Sequence, residues 1–292
     1  MPRISEQEAG QRLDAFLRAW QPELSLRAAR RLATTGLARV NGKAALPGRK
    51  LACGDIVSLA ENKDAEKGTQ PALLTVGENY CCFFKPAFLH TASLAGSDAP
   101  SLESWLPALT ASLQLAPVLL QRLDHATRGL VCAALDENAK KAFRAAEKSG
   151  QCEKFYYALL EGRLEKAANI KKAIATENRK KCRVLNEDGD RATLIEPLGW
   201  LRQEKLHFFG YAGKRVCTIA RCRINAGLRH QIRVHAASIG HPLAGDNLYG
   251  GSMEGDFFLE HYYLRFPGHE FRLPRALSIF AQLDKSLDGF AQ

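Results

Sequence analysis

A polar run from Glu61 to Pro71 (ENKDAEKGTQP) has no periodic apolar position, and it divides the chain into unequal parts. A stretch without an apolar face cannot join a core, so it reads as a linker. The 292 residues must then fold as a short unit over 1–60 and a long one over 72–292. That length suffices for a large domain with its own core plus a small one.

The short unit reads as two helices followed by short strands. Leu13, Phe16, Leu17 and Trp20 follow helical spacing and give one apolar stripe. A second helix is predicted from Ser25, a good N-cap, to Gly36, a good C-terminal stop. The segment Ala38 to Ala44 places Asn41-Gly42 between extended residues, a strong hairpin signal. Gly54-Asp55 makes a turn before the strand Ile56 to Leu59. Arg27, Arg30 and Arg31 share one helix face, and Arg39, Lys43, Arg49 and Lys50 follow close behind. A cationic face of this size suits a phosphate backbone, although such runs are more often simply solvated.

In the long unit, strand-like runs alternate with helical ones. Tyr80 to Phe84, Val118 to Leu120, Leu130 to Ala134, Phe155 to Leu160 and Arg215 to Ile224 read as strands. Asn138 to Lys148 reads as a helix ended by Gly150. The expected fold class is α+β, with a small helix-helix-hairpin unit before a larger domain built on a mostly antiparallel mixed sheet.

Charge and cysteine usage narrow the partners. With 41 Lys and Arg against 31 Asp and Glu, the net charge is +10, which favours a polyanion such as nucleic acid. Met1 to Gly10 lacks the apolar region of a secretory signal, and no apolar run is long enough to span a bilayer. The eight cysteines form no CxxC pair, so reduced thiols and no zinc site are expected. These features together predict a cytoplasmic protein with no membrane attachment.

Three further segments concentrate chemistry. Gln121 to Leu130 (QRLDHATRGL) places Asp124 between an apolar strand and a turn, a position that is often merely structural. Gly227 to His235 (GLRHQIRVH) and Ile239 to Gly250 (IGHPLAGDNLYG) gather His, Arg and Gln among glycines. His230, His235 and His241 are spaced by five and six, which fits neither a helical metal pair nor a known zinc pattern. A third segment, Lys154 to Gly162 (KFYYALLEG), reads as an alternating strand in which Tyr156 is either core or an aromatic platform.

Taken in order, these motifs resemble known families. Arg12-Leu13-Asp14, Ser25 to Arg31, Gly36, Val40-Asn41-Gly42-Lys43 and Gly54-Asp55 closely resemble the small RNA-binding domain first described in ribosomal small-subunit protein four. The resemblance implies recognition of structured RNA, mainly through shape and phosphates. Arg122-Leu123-Asp124 with Thr127 and Gly129-Leu130, Lys154 to Gly162, His230 to His235, Gly240-His241-Pro242 and Gly245 to Gly250 resemble the RluA-type pseudouridine synthases. The strand ending in Lys85-Pro86 looks like that family's opening motif.

The resemblance implies an isomerase acting on uridine in ribosomal RNA, or alternatively transfer RNA, without a cofactor. It implies Asp124 as catalytic carboxylate, Tyr156 as stacking residue and Arg233 as the partner of Asp124. RNA contacts are expected from Arg27, Arg30, Arg31, Arg39, Lys43 and Arg122, and a monomer suffices. The chain departs from the family pattern at Gln121, Arg128, Leu228 and Glu260-His261. The competing reading is an RNA-binding or ribosome-assembly protein of the same fold without activity. A carboxylate-dependent hydrolase would need a second acid or a Gly-x-Ser-x-Gly elbow, and neither is recognisable.

Overall fold

The computed structural model describes residues 2–22, 24, 26–34, 38–59, 70–96, 99–113, 116–178, 181–201, 216–251 and 257–280. Two compact units emerge, one built on Met1–Glu66 and a larger one beginning at Lys67. Ser25, Gly36 and positions 61–69 of the expected linker lie outside the described residues, as do the side chains of Arg27, Arg31 and Lys43.

In the small unit, α1 (Leu13–Trp20) buries Leu13, Phe16 and Leu17. Helix α2 (Leu26–Thr34) adds Ala29 and Ala33 to the same core. Strands β1 (Ala38–Val40) and β2 (Lys43–Ala44) pair antiparallel around Asn41 (φ 53°) and Gly42 (φ 76°). A tight hairpin of this hand needs positive φ at both central residues, and Asn-Gly meets that requirement at low cost. The Asn41 side chain also donates to Asp55 and accepts from the Ile56 amide. These bonds dock the hairpin against β3 (Val57–Leu59), the other neighbour of β1. Asp14 is buried and accepts from Arg12 and Arg30. The Arg12 bond, aided by Arg30 and opposed by burial, holds its carboxyl at about 2.

The large unit is a ten-stranded sheet among the described residues. Its main path begins with β4 (Ala72–Val76), β5 (Tyr80–Lys85), β7 (Arg128–Ala134) and β12 (Leu259–Phe266). It continues through β8 (Glu153–Glu161), β11 (Cys217–Ile224), β10 (Arg183–Leu201) and β9 (Ala168–Ala175). Two short strands lie off this path: β6 (Val118–Leu119) on β7, and β13 (His269–Arg272) on β12. Every pairing is antiparallel except β7 with β12. Seven cysteines are buried, Cys53 is exposed, and all eight are free thiols.

Alternation along the strands divides two cores. Cys82, Cys132, Leu120 and Leu264 pack on one face with Phe143 of α4 (Glu137–Lys148). Cys81, Phe83, Val131, Tyr156 and Ala158 pack on the other with Leu102 and Leu106 of α3 (Leu102–Thr110). Ile232 and Ala236 of α5 (Gln231–Ser238) join that second core. The candidate site residues belong to this second face. The longest strand, β10, was not anticipated, because its Asn186 to Asp190 stretch is rich in residues that disfavour strands. Its pairing with β9 shifts register on both sides of Asp188, which accommodates them.

The parallel junction rests on Gly129. It has φ 116°, and a Cβ there would lie 2.2 Å from the His261 carbonyl oxygen. Both the backbone conformation and the close approach exclude a side chain. Gly129→Ala should therefore destabilise the fold by about 3 kcal/mol, read as a lowered midpoint in urea unfolding. An unchanged midpoint would show that β12 can move away without loss.

Candidate active site

Asp124 follows the buried Leu123 in the loop between β6 and β7, and that loop is tied down on both sides of it. The Leu123 amide donates to Thr91 Oγ1 at 3.0 Å, and the same hydroxyl donates back to the Leu123 carbonyl at 2.8 Å. The Thr127 amide closes the turn on the Asp124 carbonyl. Beyond it, the His125 carbonyl accepts from the Phe88 amide and from Lys85 Nζ. Lys85 is fully buried at the end of β5 and also donates to the carbonyls of Pro86 and Leu89. Burial lowers the Lys85 pKa to about 7, with Asp124 opposing and Arg128 reinforcing that shift.

The segment His230 to His235 works because a helix repeats every three to four residues. His230 and Arg233 reach Asp124, whereas Gln231 and His235 anchor the helix to the sheet. Gln231 Nε2 donates to the Ala192 carbonyl and Thr193 Oγ1. His235 sits between Thr193 Oγ1 at 2.8 Å and the Lys172 carbonyl at 2.9 Å. Burial lowers its pKa, and both ring nitrogens are engaged in tying the helix to β9 and β10. His241 bonds the Glu161 carbonyl instead. The three histidines thus serve three places, and among the described residues no group of His, Cys, Asp and Glu could hold a metal.

Arg233 is buried and makes a two-point pair with Asp246, Nε to Oδ2 at 2.7 Å and Nη2 to Oδ1 at 2.8 Å. Its remaining nitrogen, Nη1, lies 3.4 Å from Asp124 Oδ2. Burial is the largest single effect and works against its charge, but the Asp246 bond together with the charges of Asp246 and Asp124 outweighs it, and the guanidinium pKa is raised. Phe257 and Tyr249 flank it with ring centroids at 4.4 and 5.1 Å. His230 Nε2 lies 3.9 Å from the same Asp124 oxygen. Among the described residues, Asp124 Oδ1 carries no such partner. Asp124 thus stands partly exposed and is held through one oxygen.

Tyr156 comes from β8, opposite Cys222 on one side and His261 on the other. Its ring stacks on His261 at 4.6 Å and 24°. Burial raises the phenol pKa, with the Asp124 charge adding to the effect. His261 is fully buried, and burial pulls its pKa down to about 3. A neutral imidazole is therefore the wall behind Tyr156. The structure brings Asp124, Tyr156 and Arg233 to one region of one sheet face.

Comparison with known proteins decides what this arrangement belongs to. Residues 79–238, more than half of the chain, match the RNA pseudouridylate synthase family. The chain belongs to that family. It is 28% identical over 307 residues to ribosomal large subunit pseudouridine synthase C of Vibrio cholerae, covering 98% of this chain and 93% of that protein. It is 28% identical over 260 residues to ribosomal large subunit pseudouridine synthase D of Xylella fastidiosa, covering 86% and 75%. Among solved structures, human RNA pseudouridylate synthase domain containing 1 shares the fold, with a TM-score of 0.59 and 22% identity over 76% of this chain and 94% of that one. This pseudouridine synthase is thus an isomerase acting on RNA.

For this synthase, the structure joins two sequence departures into one feature. Arg128 and Glu260 sit opposite each other in the parallel β7–β12 register, with Arg128 Nε 3.2 Å from Glu260 Oε2. Arg128 also donates to the Leu277 carbonyl, and Glu260 accepts from Ser278 Oγ and the Ile279 amide. Arg128 is therefore a buried structural partner of Glu260, not a free charge beside Asp124. Burial pushes the Glu260 carboxyl up, and Arg128 opposes that. Leu228, another departure, donates its amide to Gln231 Oε1 at the start of α5.

Sequence reasoning gave no roles to Lys85, Thr91, Asp246 or Tyr249. Asp246 and Tyr249 lay within a quoted motif, but their partners are fixed only by folding. In the pair that governs the site, Asp246→Asn leaves Arg233 buried without its counter-charge. We expect a loss of about 3–5 kcal/mol in urea unfolding. Replacing both partners with apolar residues, Arg233→Met with Asp246→Leu, should restore most of that stability but no turnover. Wild-type stability in Asp246→Asn would show that Asp246 does not hold Arg233.

Proposed function

We propose that this enzyme converts uridine to pseudouridine in large-subunit ribosomal RNA, with Asp124 as its catalytic carboxylate. The reaction breaks the bond between C1′ and N1, turns the uracil and joins C1′ to C5. The proton on C5 leaves and N1 gains one, so atoms balance without a donor or a cofactor. The observation that carries the reading is the asymmetric holding of Asp124. Oδ2 lies 3.4 Å from Arg233 Nη1 and 3.9 Å from His230 Nε2, and among the described residues no hydrogen bond or ion pair engages Oδ1. A carboxylate held this way can attack the nucleoside or remove a sugar proton. The ribosomal substrate rests on the names of the relatives, ribosomal large subunit pseudouridine synthases C and D.

Extruding the uridine costs roughly a few kcal/mol. Tyr156 is the proposed stacking partner, and an aromatic face returns about 1–3 kcal/mol per base. Arg122, exposed beside Asp124, is positioned to meet a phosphate. All of these groups come from one chain, so a monomer working on cytoplasmic RNA suffices. No described helix is long and apolar enough to cross a membrane.

Pseudouridine mapping tests the reading. Deleting the gene should remove at least one pseudouridine from large-subunit ribosomal RNA, the wild-type gene should restore it, and Asp124→Asn should not. Restoration by Asp124→Asn would remove Asp124 from the catalytic role.

The small unit is the proposed second RNA contact. Arg39 is exposed on β1, and Arg30 is exposed on α2 with its Nε on Asp14. Arg27, Arg31 and Lys43 belong to the same proposal. Each neutralised phosphate steepens the salt dependence of binding. Removing residues 1–60 should therefore weaken binding to ribosomal RNA fragments and flatten the slope of log affinity against log salt. An unchanged slope would exclude this unit from the interface.

A further inference from the structure

His230 begins α5 with φ 58° and ψ 17° and makes no side-chain cap. A left-handed backbone is costly for a residue with a Cβ, and no capping bond compensates. What this conformation does is place the imidazole between two groups. Nδ1 lies 2.8 Å from Tyr249 Oη, and Nε2 lies 3.9 Å from Asp124 Oδ2.

The protons on this chain of groups can be assigned. Tyr249 Oη accepts the Cys182 amide at 2.8 Å, so the hydroxyl proton must point elsewhere. Among the described residues, His230 Nδ1 and the Cys182 thiol are the available acceptors. Sulfur is the weaker acceptor, and the Cys182 sulfur already faces Arg229 Nε at 3.5 Å. The hydroxyl therefore donates to Nδ1, which leaves the ring proton on Nε2, toward Asp124. Burial lowers the His230 pKa, Asp124 opposes this, and Arg233 and Arg229 support it, with Asp246 a lesser opposing charge. Burial also pushes the Tyr249 phenol up to about 12. Near neutral pH the ring is thus a neutral donor and the phenol keeps its proton.

We propose that His230 is a positioning residue for Asp124: its Nε2–H, fixed by the Tyr249 hydroxyl on Nδ1, closes onto Oδ2 beside Arg233 when uridine binds, so that Oδ1 meets the nucleoside. This rests on Asp124 being the catalytic carboxylate. The 3.9 Å separation is longer than a hydrogen bond, and contacts of this kind commonly tighten when substrate arrives. Arg233 supplies the charge, and His230 supplies the second direction that selects one oxygen. The backbone amide of Cys182 joins the same chain through Tyr249.

Nitrogen-15 NMR of the full-length protein, labelled at histidine and assigned with His230→Asn, tests the proton assignment without RNA. Between pH 7 and 8 the wild type should show His230 protonated at Nε2 with Nδ1 as acceptor. Tyr249→Phe should give a mixture of tautomers, and Asp124→Asn should shift the Nε2 proton. A proton on Nδ1, or no response to Asp124→Asn, overturns the proposal. Turnover on an unmodified transcript of large-subunit ribosomal RNA supplies the second arm. The Gln side chain can place its amide near the Nε2 position, and the shorter Asn cannot. His230→Asn should lower kcat by roughly ten- to a hundredfold with KM changed less than about threefold, and His230→Gln should recover about tenfold of that loss. Equal rates for Asn, Gln and wild type overturn it. Full turnover by Asp124→Asn, in contrast, defeats the catalytic reading of Asp124 and leaves the NMR result to decide where the His230 proton lies.

Discussion

Arg233 is buried with Asp246 in a two-point pair, and a guanidinium held at two nitrogens has little freedom left. Its third nitrogen then points where the fold directs it, toward Asp124. A lysine could not do this, because its ammonium lacks the rigid fork. The pair bridges α5 and the loop that carries Asp246, while Asp124 comes from the loop before β7. Two neighbouring segments are thereby set against a carboxylate 109 residues away from Arg233. The burial that makes the pair costly to break also keeps it in one geometry.

The other side of the site has a similar logic, with hydrogen bonds in place of charge. Thr91 grips Leu123 through two bonds, and Lys85 ties the His125 carbonyl of the Asp124 loop to the carbonyls of Pro86 and Leu89. Gly129 lets β12 approach β7 closely enough to place His261 behind Tyr156. The Arg128–Glu260 pair lies across that same junction and is completed by the segment Leu277 to Ile279. Both charges are engaged with each other and with that segment, away from the Asp124 carboxylate.

Much of this was legible in the sequence where the cause is local. The helical stripe of α1, the Asn41-Gly42 hairpin, the buried β5 and the helix before Gly150 follow from periodicity and turn chemistry. Strand β10 was not legible, because its propensities contradict its state and only pairing with β9 and β11 overrides them. The motif residues Asp124, Tyr156 and Arg233 could be named through family resemblance. Their proximity could not be derived from spacing, since 109 residues separate Asp124 from Arg233.

The sequence by itself determined the locally encoded elements, the basic balance and the identity of the residues available for chemistry, because these depend on composition or on neighbours a few positions apart. Tertiary structure alone decided what each of those residues does. Of three histidines in one stretch, one faces Asp124, one anchors a helix and one caps a strand end. Of two unexpected charges, Arg128 and Glu260, each neutralises the other. Side-chain roles depend on which groups share a buried space, and that is set by long-range packing in a low-dielectric interior. The spacing of residues along the chain does not encode it.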